Sequence, residues 1–184
     1  KSRTNELKVK YSFNDSLSFE NTFYRSFIED ALLYDSSFKG GSGYTNNKSD
    51  LKQDGIESNI IFKNNQQRLS IFNTISSSKQ TDGSHQLNRP DSTYGINYDL
   101  NVNESILGSF TFLYNYKHYG KSFDYAPTVT KVDSTDIMNL SILKNIGFSV
   151  LSFNISNLLD ENYQRPYGYS QNGRLFNLRF RINY

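Results

Sequence analysis

The last nine residues of the chain alternate strictly between apolar and polar side chains. The even positions carry Phe176, Leu178, Phe180, Ile182 and Tyr184, and every odd position between them carries Asn or Arg. Successive side chains of a β-strand point to opposite faces, whereas apolar positions of a surface helix recur every three or four residues. The pattern therefore predicts a strand with one apolar and one polar face.

Similar but less regular alternation recurs along the whole chain. It predicts about nine strands and no helix, and hence an all-β fold. Besides the last strand, the predicted strands cover residues 7–13, 17–33, 56–62, 69–75, 94–102, 106–117, 138–142 and 151–155.

The composition restricts the kind of protein further. Phe and Tyr make up 15% of the residues although the mean hydropathy is −0.65. A membrane-spanning helix needs about 20 consecutive apolar residues, and the sequence contains no such run. A transmembrane β-barrel is compatible with a polar average, because only alternate residues face lipid. The net charge of +2, without a basic stripe, argues against a nucleic-acid partner.

The predicted connections alternate between short and long. Tight polar turns occur near Asn14, Asn65, Asn103 and Asn145. The long connections cover residues 36–50, 81–91, 119–134 and 158–173. All short turns then lie at one end of the sheet, as in outer-membrane barrels with short periplasmic turns and long extracellular loops. A soluble meander could also show this alternation, and sequence alternation alone does not tell an inner face from an outer one.

The segment 17–33 has an unclear phase. It is rich in aromatic residues, and its apolar positions do not keep one regular alternation. We interpret it as a strand with a β-bulge or as a strand with an extracellular extension.

Three sequence elements in residues 154–184 carry a family resemblance. The segment resembles the end of TonB-dependent outer-membrane receptors, which have an Asn-Leu-x-Asp-x-x-Tyr element, a Gly-Tyr/Gly-Arg loop and a last strand ending in an aromatic residue. The Tyr-Gly-Tyr spelling is most similar to the vitamin B12 (cobalamin) receptor branch, and siderophore and haem receptors have close variants. The matching residues are Asn157, Leu158, Asp160 and Tyr163, then 167–169 with 173–174, then 176–184.

The resemblance implies an antiparallel up-and-down transmembrane β-barrel in the outer membrane of a Gram-negative bacterium. Residues 1–184 would supply about nine C-terminal strands of a roughly 22-stranded barrel, without the plug domain. We therefore expect a partial barrel, a curved open sheet whose edges lie near Val9 and Tyr184. The implied function is uptake of a large scarce solute of the cobalamin, siderophore or haem class. The TonB complex would act through the missing N-terminal part.

Two other functions remain open. The chain could be a small complete outer-membrane β-barrel with an adhesin or structural role, which would need eight strands closing on themselves. It could also be a soluble, lipocalin-like binder. A plug domain encoded upstream would favour the receptor.

The last strand is a candidate assembly signal. In outer-membrane barrels an aromatic last residue, with apolar residues at alternate preceding positions, is read by the barrel-assembly machinery. Phe176, Leu178, Phe180, Ile182 and Tyr184 fit this pattern, and their apolar side would face outer-membrane lipid. The alternating residues on the other face would line the lumen; they are Asn177, Arg179, Arg181 and Asn183.

The long loops are the predicted site of ligand contact. Flat aromatic faces and cations there could hold a large solute, or could be ordinary solvated loop or girdle residues. The candidates are Tyr119, Phe123, Tyr125, Arg165, Tyr167, Tyr169 and Arg174.

Signals for catalysis, metal binding or a cofactor are weak. The two histidines, His85 and His118, lie in separate segments, and neither has a carboxylate at ligand spacing in the sequence. There is no cysteine, which excludes cysteine nucleophiles and cysteine zinc sites. We therefore expect a protein that is not an enzyme.

Overall fold

The computed structural model of the chain describes residues 1–35, 43–46, 50–81, 83, 85–103, 108–125 and 129–182. The described residues fold into strands and turns, and they contain no helix that is long and apolar enough to cross a membrane. The strands are β1 (Ser2–Ser12), β2 (Leu17–Ile28), β3 (Leu32–Asp35), β4 (Gly43–Asn46), β5 (Leu51–Lys63), β6 (Gln67–Gln80), β7 (Ser92–Val102), β8 (Phe110–Tyr119), β9 (Ser122–Tyr125), β10 (Val129–Val132), β11 (Thr135–Ile146), β12 (Ser149–Ser156) and β13 (Leu175–Ile182).

Nine of these strands form a single antiparallel up-and-down sheet. Its order is β1-β2-β5-β6-β7-β8-β11-β12-β13, and the other strands form the hairpins β3–β4 and β9–β10. The predicted fold class and strand number are confirmed. The sheet is open, as expected, with β1 and β13 as its two edges, and both edge strands are exposed along their whole length.

The connections confirm the predicted difference between the two ends of the sheet. Short turns at 13–16, 64–66, 103–109 and 147–148 lie at one end, although residues 104–107 are outside the described part. The long connections lie at the other end, and two of them carry the hairpins β3–β4 and β9–β10. Asn side chains close two of the tight turns. The Oδ1 atoms of Asn14 and Asn64 each accept the backbone N–H groups two and three residues further on.

The segment 17–33 contains an extension but no bulge. β2 pairs without a break with β5 from Leu17 to Ile28 and with β1 from Ser18 to Ile28, so the bulge, one of the two interpretations, is wrong. A turn at Glu29 and Asp30 ends the strand, and Leu32 begins the hairpin strand β3. The unclear phase of the sequence therefore came from two elements that the turn separates.

The register gathers the apolar side chains on one face of the sheet. We call this the apolar face and the opposite one the polar face. One row of directly paired residues crosses eight strands: Leu17, Phe62, Leu69, Tyr98, Tyr114, Leu140, Ile155 and Phe176. Nothing in the described chain covers this face, since its buried hydrophobic residues are only Ala31, Leu51 and Val132. The sheet therefore has no core of its own on the apolar side.

The same row is staggered along the strands. It passes through Leu17, the first residue of β2 after a short turn, and reaches Ile155, the seventh residue of β12 after the same end. A steady displacement of this kind is the shear that a tilted barrel wall requires. Because of this shear, the residues of one row lie at different distances from the short-turn ends of their strands.

Two glycines on the polar face allow aromatic rings to lie against the neighbouring strand. Gly55 is directly paired with Tyr24, and a Cβ atom at residue 55 would collide with the Cζ and Oη atoms of Tyr24. Gly95 is directly paired with Phe72, and a Cβ atom there would meet both the Phe72 ring and the backbone oxygen of Tyr116. Aromatic rings that cover strand glycines help to fix register.

We expect Gly55→Ala to lower the free energy of unfolding by about 1–3 kcal/mol, because the new methyl group displaces the Tyr24 ring. The measurement is chemical unfolding of the refolded protein in detergent. Tyr24→Ala removes the obstacle, so the double variant should be less destabilised than the sum of the two single changes. Additive effects, or a Gly55→Ala protein as stable as the parent, would contradict the ring–glycine contact.

Candidate ligand-facing loop cluster

Three long connections meet at the long-loop end of the sheet. We call residues 81–91 loop A, 120–134 loop B and 157–174 loop C. Loop A is tied to loop B by two backbone hydrogen bonds, from Asn88 N to Phe123 O at 2.6 Å and from Asp91 N to Lys121 O at 2.9 Å. Loop C is tied to loop B by the Tyr167 N–H, which donates to Asp124 Oδ2 at 2.8 Å. Loop B therefore holds the cluster together.

Arg165 makes a second connection between loops C and B. Its Nη2 donates to the backbone oxygens of Gly120 at 2.7 Å and Asp133 at 3.5 Å. Its guanidinium carbon lies 4.9 Å from the centre of the Tyr119 ring, a cation–π contact. Burial lowers the pKa of the Arg165 guanidinium, although arginine keeps its charge in proteins. The side chain thus holds two carbonyl groups of loop B and the ring of Tyr119.

Asn157 organises the base of loop C. It is 4% exposed, and its φ of 51° lies in the left-handed region that Asn tolerates better than most residues. Its Nδ2 donates to Glu161 O at 2.9 Å and to Asn172 O at 3.2 Å, and its Oδ1 accepts the Glu161 N–H at 3.0 Å. One side chain therefore satisfies three backbone groups from both ends of the loop.

Asp160 closes the same loop from the other side. Its Oδ1 accepts the Arg174 N–H at 2.7 Å, and Arg174 Nε donates to Leu158 O at 3.0 Å. A side chain at Gly173 would collide with the Asp160 carboxylate. The sequence elements around residues 157–163 and 173–174 are thus joined by hydrogen bonds.

A chain of asparagine amides anchors loop C to the polar face of the sheet. The Asn157 N–H donates to Asn139 Oδ1 at 3.1 Å, Asn139 Nδ2 to Asn115 Oδ1 at 3.1 Å, and Asn115 Nδ2 to Asn97 Oδ1 at 2.7 Å. The last three residues are direct partners across β7, β8 and β11. These amide hydrogen bonds could not be predicted from the sequence, since each asparagine alone is an ordinary polar-face residue.

The predicted ligand residues divide into structural and accessible ones. Tyr119 is the last residue of β8 rather than a loop residue, and Lys117 Nζ lies 4.5 Å from its ring centre. Phe123, in β9, stacks on His85 with ring centres 4.1 Å apart. Arg165 and Arg174 are engaged in holding the loops.

Tyr167 and Tyr169 are the accessible candidates. They are 41% and 69% exposed, so they remain available to a ligand. The side chain of Tyr125 lies outside the described part. Ligand contact by any of these residues stays a prediction.

The residues of the last strand lie on the two faces that alternation predicts. Phe176, Leu178 and Phe180 pair with Ile155, Phe153 and Leu151 on the apolar face, and Leu178 is 70% exposed. Ile182 continues that face, whereas Asn177, Arg179 and Arg181 lie on the polar face. Asn183 and Tyr184 are outside the described residues. Their roles in assembly and in lining a lumen stay predictions.

The structure gives His118 a carboxylate partner that sequence spacing did not reveal. His118 Nδ1 lies 2.8 Å from Asp136 Oδ1, and its ring stacks on Tyr94 with centres 4.4 Å apart. Asp136 and His118 face each other across β11 and β8. Within the described ranges no three His, Cys, Asp or Glu residues come close enough to hold a metal ion.

Two small cavities mark the junctions of the loops. One, of about 300 Å³, is lined by Asn88, Ser122, Val132, Arg165 and Pro166, where all three loops meet. The other, of about 250 Å³, lies between β6, loop A and loop B, and His85, Arg89, Lys121 and Phe123 line it. Both cavities combine cationic or amide groups with apolar surface.

Solved structures of outer-membrane receptors share this fold. The ferric yersiniabactin uptake receptor from Yersinia pestis matches with a TM-score of 0.79 and 16% identity over 100% of this chain and 30% of the receptor. The pyoverdine outer membrane receptor from Pseudomonas aeruginosa matches with a TM-score of 0.78 and 14% identity, again over 100% and 30%. An iron transporter from Neisseria meningitidis matches with a TM-score of 0.74 and 11% identity over 97% and 30%.

The similarity lies in the fold and not in the sequence. No protein-family model and no curated protein matches the sequence. The chain spans about 30% of the length of these receptors. The matches confirm the receptor-barrel fold that the C-terminal residues predicted, while the vitamin B12 branch stays a prediction.

We expect Asn157→Ala to loosen loop C, because it leaves three backbone groups without their partner, at a cost of about 1–3 kcal/mol. Faster hydrogen exchange in residues 157–174 measures the effect. Asn157→Gly keeps the left-handed backbone accessible, so its exchange should rise as well if the amide is the cause. Asn154→Ala on β12, whose side chain makes no hydrogen bond within the described ranges, is the matched control. Equal exchange in all variants would contradict the role given to Asn157.

Proposed function

We propose that the chain forms part of the wall and the extracellular loops of a TonB-dependent receptor in the outer membrane of a Gram-negative bacterium. The receptor takes up a large scarce solute of the siderophore, cobalamin or haem class. The observation that carries this proposal is the continuous, uncovered apolar face, which runs in staggered register across the sheet opposite a polar face.

Contact with lipid is energetically favourable for that apolar face. Removing apolar surface from water is worth about 25 cal/mol per Å², and the face includes strongly exposed side chains such as Phe176, Leu178 and Phe180. A lipid bilayer removes all of it from water at once. A soluble lipocalin-like barrel would instead turn such a face toward a closed interior, and the described chain has no apolar interior of this kind.

The open edges support a larger barrel. Within lipid every backbone N–H and C=O group needs a partner, so spanning sheets close into barrels. β1 and β13 are not neighbours in this sheet, and we propose that they pair with other strands of a receptor of about 22 strands. A small complete barrel with an adhesin or structural role would instead close on itself. The structural neighbours, of which this chain covers about 30%, do not favour that alternative.

The interlocked loops supply a rigid platform for ligand contact. Loops A, B and C are joined through Asn88, Asp124 and Arg165, which reduces the ordering cost of binding. The exposed rings of Tyr167 and Tyr169 offer flat surfaces to a large solute. Siderophore receptors among the structural neighbours support that ligand class, and the Tyr-Gly-Tyr spelling supports cobalamin.

Partners of the whole receptor follow from the same proposal. The apolar face contacts outer-membrane lipid, and the barrel-assembly machinery reads the last strand by pairing with its exposed edge. The TonB complex acts through an N-terminal part with a plug domain. None of these roles requires an enzymatic site.

The proposal is tested by uptake in cells that lack the gene and in cells that carry it again. We expect loss and recovery of uptake for one of a panel of ferric siderophores, haem and cobalamin. Unchanged uptake of the whole panel would contradict a receptor function.

For the solute so identified, we expect Tyr167→Ala/Tyr169→Ala to weaken binding at least about tenfold, because two aromatic surfaces lose their contact. Whole-cell binding, normalised to the amount of receptor in the outer membrane, measures the affinity. Phe148→Ala is the control, since Phe148 is a ring as exposed as Tyr169 (70% against 69%) in a short turn at the opposite end. Equal losses in both variants would argue against a ligand role for loop C.

A further inference from the structure

A row of positive charge crosses the apolar face at its long-loop end. The register places Arg3 opposite Phe27, Phe27 opposite Lys52, and Lys52 opposite Lys79. We call these four residues on β1, β2, β5 and β6 the basic row. Its three cations are exposed, so they can meet a partner outside the sheet.

The charge of the basic row is not compensated within the described part of the chain. Lys52 and Lys79 are directly opposite each other, an arrangement that costs stability in a sheet. No carboxylate among the described residues is within ion-pair distance of either lysine or of Arg3. Asp54 lies on β5 two residues after Lys52, and its carboxylate forms an ion pair with Arg25. The row therefore attracts an anion.

An apolar groove lies on the same four strands as the basic row, further from the long loops. Its volume is about 640 Å³, and the apolar residues Leu7, Phe23, Ile56 and Ile75 line it together with the charged residues Glu6, Arg25 and Asp54. The ion pair of Arg25 and Asp54 lies between these apolar residues and the basic row. A cationic rim above an apolar groove complements a molecule with an anionic head and a hydrocarbon tail.

We propose that the basic row binds the phosphorylated headgroup of an outer-leaflet glycolipid, with one acyl chain in the adjoining groove. The proposal rests on the membrane location given under Proposed function. Phosphates accept charge-assisted hydrogen bonds from Lys and Arg, and each cation near an anionic membrane surface strengthens the attraction. A free phosphate ion would use the cations but not the groove, so the site selects an anionic lipid.

The same two strands offer a matched control pair. Lys63 and Arg68 are also directly opposite each other on β5 and β6, but on the polar face and at the short-turn end. Arg68 is directly opposite Asp99 on β7, so this pair has a carboxylate beside it. Removing these cations changes the net charge equally without touching the basic row.

The test uses the full-length protein that the gene encodes, purified from outer membranes in detergent. Native mass spectrometry would measure the retention of bis-phosphorylated lipid A and of chemically dephosphorylated lipid A. We expect Lys52→Gln/Lys79→Gln to weaken binding of the phosphorylated form by about tenfold or more. We expect Lys63→Gln/Arg68→Gln to bind it like the parent, and the dephosphorylated form to bind weakly to all three proteins.

Three outcomes would overturn the inference: equal binding by both variants, equal binding of both lipids, or full displacement of lipid A by millimolar inorganic phosphate. Its failure is distinguishable from failure of the proposed function. Absence of the protein from the outer-membrane fraction contradicts the function itself. Normal insertion and uptake without phosphate-dependent lipid binding contradict this inference alone.

Discussion

The structure depends on one constraint, the two-residue period of its strands held in a continuous antiparallel register. A shift of one residue in any strand would move its whole apolar set to the polar face. The unbroken pairing from β1 to β13 prevents this and produces two faces of opposite character. The Asn14 and Asn64 turns set the register locally, and the rings of Tyr24 and Phe72 over Gly55 and Gly95 support it from the polar face.

The loop cluster is a consequence of that register. Loops A, B and C connect β6 to β7, β8 to β11 and β12 to β13, which are adjacent in the sheet, and short polar contacts then join the loops. Arg165 of loop C and Asp124 of loop B each make a hydrogen bond that joins these two loops. The basic row arises in the same way, since Arg3, Lys52 and Lys79 are far apart in sequence and adjacent only through pairing.

The features that depend on a local sequence pattern could be predicted from the sequence. The alternation of residues 176–184 and of the other segments predicted the strands and the all-β fold class, and the Asn-centred turns predicted the connections. The resemblance at Asn157 and Asp160 implied the open, partial barrel, and the structure explains those residues as the hydrogen-bonded base of loop C. What could not be predicted depends on which residues become neighbours across strands. The Asn97–Asn115–Asn139 chain and the His118–Asp136 contact follow from register and shear, which no local window contains. The unclear phase of residues 17–33 had a local cause, since the turn at Glu29 and Asp30 separates two strands there.

The central claim is that the apolar face of the sheet meets lipid and the polar face meets water. The chain contains no cysteine, so single cysteines for spin labels can be placed at 139, 140, 141 and 142 on β11 in the protein reconstituted in lipid. Leu140 and Ile142 lie in apolar rows, and Asn139 and Ser141 alternate with them. The account predicts high accessibility to oxygen at 140 and 142 and to a water-soluble paramagnetic reagent at 139 and 141. The reverse phase, or the same accessibility at all four positions, would contradict it.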